Sequence, residues 1–199
     1  MILIEETAIS QAALPLEKFK AHLRLGTGFS DGDVQDAVLE GFLRAAISAI
    51  EARTGKVLIA RDFAWTLWRW RRREGQVLPV APVTALTGVV LRDRDSGEVA
   101  VDPARYRLEE NTHQPVLRPA GALLPAIPTG GAAVISFTAG MGATWDELPA
   151  DLGQAVLMLA AHYHEYRHET ALGQGCMPFG VTSLVERYRG VRLYMGGTA

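Results

Sequence analysis

Phe63-Ala64-Trp65-Thr66-Leu67-Trp68-Arg69-Trp70 is the stretch on which the fold turns. Three tryptophans, a phenylalanine and a β-branched threonine within one short run favour an extended strand with large side chains on both faces. No helical stripe of apolar residues passes through this region, and none returns before Asp146. Toward the C-terminus the same regime continues. Val83 to Leu91 reads as a second strand, Asp95-Ser96-Gly97 makes a turn, and Val99 to Val101 returns. Tyr106 to Leu108, Pro115 to Leu117 and Ala133 to Thr138 complete an antiparallel set. Short strands at this spacing build a small sheet or sandwich, not βαβ units.

On the N-terminal side the pattern is helical. Pro15 occupies a first-turn position, and Leu16, Phe19 and Leu23 follow at helical spacing. Gly26-Thr27-Gly28 breaks that helix, and Ser30 or Asp31 caps a longer one that stops at Thr54-Gly55. Along it Val38, Phe42, Ala45, Ala46 and Ala49 share one face. Asp33, Asp36, Glu40, Arg44 and Glu51 share another, with Glu40 and Arg44 spaced to pair. Helical periodicity resumes where Pro149 and Asp151 open a helix striped by Leu152, Ala155, Val156, Leu159, Tyr163 and Tyr166. A short helix around Val181 to Tyr188 follows. The class is therefore α+β, in three blocks: helical 1–56, β-rich 57–145 and helical 146–199.

Composition narrows the function. Of 199 residues, 48% are hydrophobic and 21% charged, so the chain buries a real core. A net charge of −2 disfavours a general phosphate-gripping domain. One cysteine, Cys176, leaves no intramolecular disulfide and no multi-cysteine zinc module. No apolar run reaches the roughly 18 residues that span a bilayer, and the N-terminus turns acidic at Glu5-Glu6 before a signal-peptide core develops. The expectation is a soluble protein made in a reducing cytosol, with no membrane partner.

The sharpest chemical motif is His164-Glu165-Tyr166-Arg167-His168, which fits H-E-x-x-H. Zincins need that spacing because histidines at i and i+4 leave one helix face together, with the glutamate activating metal-bound water. Glu186 stands far enough downstream to supply a third ligand. Ala171 and Gln174 occupy the places of the glycine and third histidine of the extended motif. A zinc-dependent hydrolase built on His164, Glu165, His168 and Glu186 is the alternative reading. An amphipathic helix ending in polar residues accounts for the same letters, since His164 and His168 fall away from the Leu152–Tyr163 stripe. The preferred reading has no catalytic residue, metal or cofactor. A third reading places nucleic acid on Arg69, Arg71, Arg72 and Arg73, interleaved with Trp68 and Trp70. A strand ending in a solvated charged loop explains these equally, and the overall charge gives nucleic acid no support.

Taken in order, several stretches form one pattern. They are Leu14-Pro15-Leu16-Glu17-Lys18-Phe19, the helix ending Ile50-Glu51-Ala52-Arg53-Thr54-Gly55-Lys56, the tryptophan strand, and Leu78-Pro79-Val80-Ala81-Pro82-Val83. The Asp-Ser-Gly hairpin, Tyr106-Arg107-Leu108, Phe137-Thr138-Ala139-Gly140, Leu148-Pro149-Ala150-Asp151-Leu152 and the Tyr188-Arg189 pair complete it. From about residue 10 to 192 the chain resembles the head–tail connector, or head-completion adaptor, family of long-tailed phages and gene transfer agents. The resemblance implies a helical bundle made by both ends of the chain with an inserted antiparallel β-rich subdomain. It also implies a structural role in the virion neck, with synthesis in the bacterial cytoplasm. Such subunits form a ring, usually of twelve copies, beneath the portal protein, extend the DNA channel and receive a downstream neck (stopper) or tail protein. DNA is then only transiting content.

Three expectations about sites follow. Trp65, Trp68 and Trp70 are candidates for one flank of the ring interface, because aromatics are enriched in interface cores. Asp33, Asp36, Glu40 and Glu51, with Arg44 the lone base, border the channel or a neighbouring subunit. Arg187, Tyr188, Arg189, Arg192, Leu193 and Tyr194 dock on the portal, in a tail whose alternation at Val191, Leu193 and Met195 suits an added strand.

Overall fold

The computed structural model describes residues 1–25, 32–167 and 177–189. Strand β1 (Ile2–Glu5) leads into helices α1 (Leu16–His22) and α2 (Gly32–Thr54). Then come β2 (Arg61–Leu67), β3 (Gln76–Val77), β4 (Val83–Arg92), β5 (Glu98–Ala100), β6 (Tyr106–Glu109), β7 (Val116–Pro119) and β8 (Ala132–Ala139). Helices α3 (Ala150–Glu165) and α4 (Phe179–Val185) follow. The protein is α+β, with antiparallel sheets, as the three-block periodicity predicts. No described helix is long and apolar enough to cross a membrane.

Two apolar cores divide the work. The first is helical: Leu39, Leu43, Ala46, Ile47 and Ile50 of α2 recur at three- and four-residue spacing and meet Phe19 of α1. They also meet Leu152, Val156 and Leu159 of α3 and Val181 and Val185 of α4. The face of α2 expected to be buried is displaced by about one residue, since Val38 is exposed and Phe42 only half-buried. The wheel built on alanines ignored the leucines and isoleucines beside them, and burial follows the larger side chains because transfer energy scales with apolar area. Thr54 ends α2 by donating its hydroxyl to Ile50 O at 2.8 Å, and Gly55 then turns at φ +68°.

The second core lies between two sheets, one ordered β1-β2-β8-β4-β5 and the other β3-β7-β6. On β2 the alternation is strict. Phe63, Trp65 and Leu67 face inward, while Ala64 and Thr66 face out. Phe63 stacks on Phe137 of β8 at 5.7 Å, and Leu117 of β7 closes the layer from the other sheet. β1 was not expected; it pairs Ile2 with Thr66 and Glu5 with Phe63. The tryptophan strand begins two residues earlier than predicted and ends at Leu67, its last partner on β8 being Ala133.

The chain passes from helices to sheets through residues 56–60 and returns through 139–142, and these crossings are joined. Ala60 N–H donates to Gly142 O at 2.8 Å, and Met141 N–H donates to Leu58 O at 3.0 Å. Gly140 is obligatory there: a Cβ would lie 2.2 Å from Ala60 Cα. Beside the crossings the buried Arg61 donates through Nη2 and Nη1 to both oxygens of Glu51, at 2.6 and 2.9 Å. Its Nε is 2.8 Å from Glu5 Oε1, without a well-directed hydrogen bond. Glu51 Oε1 also accepts the Leu58 N–H at 2.7 Å.

Candidate functional site

The expected interface tryptophans separate. Trp65 is 4% exposed and belongs to the core between the sheets. Trp70 is half-buried and donates its indole N–H to Pro125 O at 2.7 Å, which draws the chain off the first sheet. Trp68 alone is open, at 53%. The arginines around it divide as well. Arg73 donates from Nε and Nη2 to Leu124 O, at 3.1 and 2.8 Å, and so holds a loop in place. Arg69, Arg71 and Arg72 are exposed and make no ion pair among the described residues.

The acidic face of α2 is occupied from within. Lys20 of α1 reaches Asp36 at 2.8 Å, Arg44 reaches Glu40 at 2.7 Å, and Arg61 takes Glu51. The imbalance read along the helix is therefore corrected by cations from α1, α2 and β2, and unpaired charge no longer argues for a channel wall there. The side chain of Asp33 and the expected caps Ser30 and Asp31 lie outside the described residues.

The described part of the zinc motif, residues 164–167, is not one unbroken helix. α3 ends at Glu165 with Tyr166 in the cap position, its N–H donating to His162 O at 3.0 Å, and Arg167 donates to His164 O at 2.7 Å. His164 packs edge-on against Phe42, ring centroids 5.8 Å apart. Burial, and then the nearby Arg167 charge, hold its pKa below the ordinary histidine value. Glu186 pairs with Arg189 at 3.0 Å. Among the described residues no three histidine, cysteine or acidic side chains gather as metal ligands; His168 and Cys176 lie outside them.

The portal-docking candidates also divide. Arg187 and Tyr188 do not start an extended strand, and the chain becomes extended only at Arg189. Glu186–Tyr188 form one 3-10 turn continuing α4. Tyr188 donates its hydroxyl to Asp151 Oδ1 and Arg187 reaches Asp151 Oδ2, both at 2.7 Å, so the turn is pinned to the start of α3. Arg192, Leu193 and Tyr194 lie outside the described residues.

Two clefts escaped the sequence reading. One, of about 690 Å³, opens between Arg71, Arg72, Glu74 and Arg118. The other, about 620 Å³, has Arg53, Lys56, Arg71, His113 and Arg189 among its walls and, among the described residues, no carboxylate. Lys56 is 2% exposed; its ammonium donates to Thr112 O and lies 3.1 Å from His113 Nδ1, and burial pushes its pKa down. Such walls attract anionic groups by charge. No run of letters marks this cleft, because its cations come from segments far apart in the chain.

No family model matches the chain, and no curated protein does. Solved structures do. A chain in the neck of an empty GTA (gene transfer agent) particle, computed with C6 symmetry, is 50% identical with a TM-score of 0.89. A chain in the virion of a native GTA particle is also 50% identical, TM-score 0.86. One in the neck of a native GTA particle computed with C12 symmetry is 46% identical, TM-score 0.85. Each match covers 98% of this chain and 99% of the other.

Proposed function

Because this chain belongs to the head–tail connector (head-completion adaptor) family, represented by chains of the gene transfer agent neck, we propose that it is an adaptor subunit of a ring beneath the portal. It is a structural component of the neck of a phage-like particle and not an enzyme. One observation carries the finer reading: end-to-end similarity at 50% identity to a chain in a neck of cyclic symmetry. The ring extends the DNA channel and joins the capsid to the downstream neck or tail protein, with DNA passing through rather than binding. The helices from both chain ends serve as the bundle and residues 57–145 as its inserted β-rich subdomain. Trp68 remains the tryptophan suited to an interface, and Asp36 and Glu40 border a neighbour or the channel as paired, near-neutral groups. The portal contact belongs to the segment after Arg189, with Arg192, Leu193 and Tyr194, while Arg187 to Arg189 form its fixed base.

Deleting the gene in a producing cell tests this reading. The expected result is filled heads lacking tails, rescued by tagged protein that electron microscopy locates at the head–tail junction. Complete particles without the protein overturn it. Removing residues 190–199 is expected to leave a folded subunit that no longer attaches to portal-bearing heads; wild-type attachment would remove the tail from the mechanism.

A further inference from the structure

Among the described residues the five-stranded sheet has two open edges, β1 and β5. At one edge Ile2 is 51% exposed, Leu3 39% and Ile4 54%; at the other Val99 is 67% exposed. An uncovered strand with apolar residues on both faces invites pairing with another chain, and proteins normally blunt such edges with charge or proline. On β1, Ile2, Leu3 and Ile4 carry neither, and the one charge, Glu5, sits 2.8 Å from Arg61. The sheet's outward face repeats the pattern. Residues paired in register across all five strands form the row Ile2, Thr66, Val134, Val90 and Ala100, with Ile4, Ala64, Ser136 and Gly88 beside it. Antiparallel sheets usually turn polar side chains to water; these two rows together hold two hydroxyls and no charge, and the Arg92–Glu98 pair lies at the β4–β5 end of the same face.

The ladders also fix direction. β1 opposes β2, β2 opposes β8, β8 opposes β4 and β4 opposes β5, so both edge strands run the same way. A head-to-tail ring needs two different patches that meet when one copy is rotated onto the next. Two unlike edges of one sheet supply them.

We propose that β1 of one copy pairs in parallel with β5 of the next, so that the sheet continues from subunit to subunit around the ring. The proposal rests on the ring reading above and names its interface. The occupant of each edge is a second copy of this chain, because the similar neck chains stand in C6 and C12 arrangements and each edge lacks what the other offers. Leu3, opposite the inward-facing Trp65, and Val99, opposite Leu91, lie on the same side of the sheet and meet across the joint.

A Leu3→Cys, Val99→Cys pair in a Cys176→Ser background places two thiols at neighbouring-strand distance, within the range a disulfide spans. After mild oxidation of assembled particles, the expected product is a ladder at multiples of 21.6 kDa. Each single-cysteine variant is expected to give no ladder. Ile4→Lys is expected to keep the thermal midpoint of the free subunit and to lower neck occupancy more than tenfold. Particles that hold the double-cysteine protein yet yield no ladder, a bond to a different protein, or wild-type neck occupancy by Ile4→Lys each overturn the joint. In those cases the ring reading stands. Wild-type protein missing from the necks overturns both.

Discussion

Lys56 carries an ammonium into a buried site without a carboxylate, and that has a measurable sign. Its pKa is lowered, so the native state resists protonation more than the unfolded chain does. The residue therefore costs stability at neutral pH, and the cost fades as pH rises toward the ordinary lysine value of 10.5. Lys56→Met is expected to raise the thermal midpoint at neutral pH, with an advantage over wild type that shrinks in alkaline buffer. Melting curves across that range check it, and a lower midpoint at neutral pH would mean that the bonds to Thr112 and His113 outweigh the desolvation. Arg61 and Glu51 are the opposite case, a buried pair with its charge answered. Glu51→Ala leaves the guanidinium with Glu5 alone and the Leu58 N–H unpaired, and is expected to cost about 1–3 kcal/mol, read from denaturant midpoints. Arg61→Met together with Glu51→Leu is expected to recover most of that loss. Little of this was visible in the letters. Phe63, Trp65 and Leu67 do alternate with small residues, so Trp65 was assignable to the core. The exit of Trp68 and Trp70 depends on Pro125, 55 residues from Trp70.

Among elements, α3 shows how a correct periodicity can carry a wrong ending. The stripe from Leu152 to Leu159 is buried as the spacing predicts, yet the helix stops at Glu165, inside the H-E-x-x-H motif. Helix length is set by where packing against α2 and α4 ends, which spacing alone does not report. At its other end Asp151 holds Tyr188 and Arg187, and with them the last described turn. Asp151→Ala is expected to lower stability by about 1–2 kcal/mol, the scale of a lost charged hydrogen bond. Trypsin cleavage after Arg187 and Arg189 should also quicken, in limited proteolysis against wild type. Unchanged cleavage would show that α4 is held by Val181 and Val185 alone.

At the scale of the whole molecule the α+β class was legible because period 3.6 and period 2 leave different marks on a sequence. β1 was not, because four apolar residues at a chain end read equally as a frayed terminus until β2, some 60 residues later, gives them a partner. The same scale governs metal content. Purified protein is expected to hold no stoichiometric zinc by elemental analysis, and one tightly bound zinc per chain, lost in His164→Ala, would reopen the hydrolase reading. The paired crossings at 56–60 and 139–142 have a mechanical consequence. A neck part bears load whenever a head under internal pressure pulls against its tail. Tension between the helical and β halves is shared by three segments, residues 6–15 after β1 and the two adjacent crossings, which are joined by Ala60–Gly142 and Leu58–Met141 bonds and flanked by the Arg61–Glu51 clamp. Those links strain together rather than opening one at a time, so the junction should behave as a stiff coupling and not as a hinge.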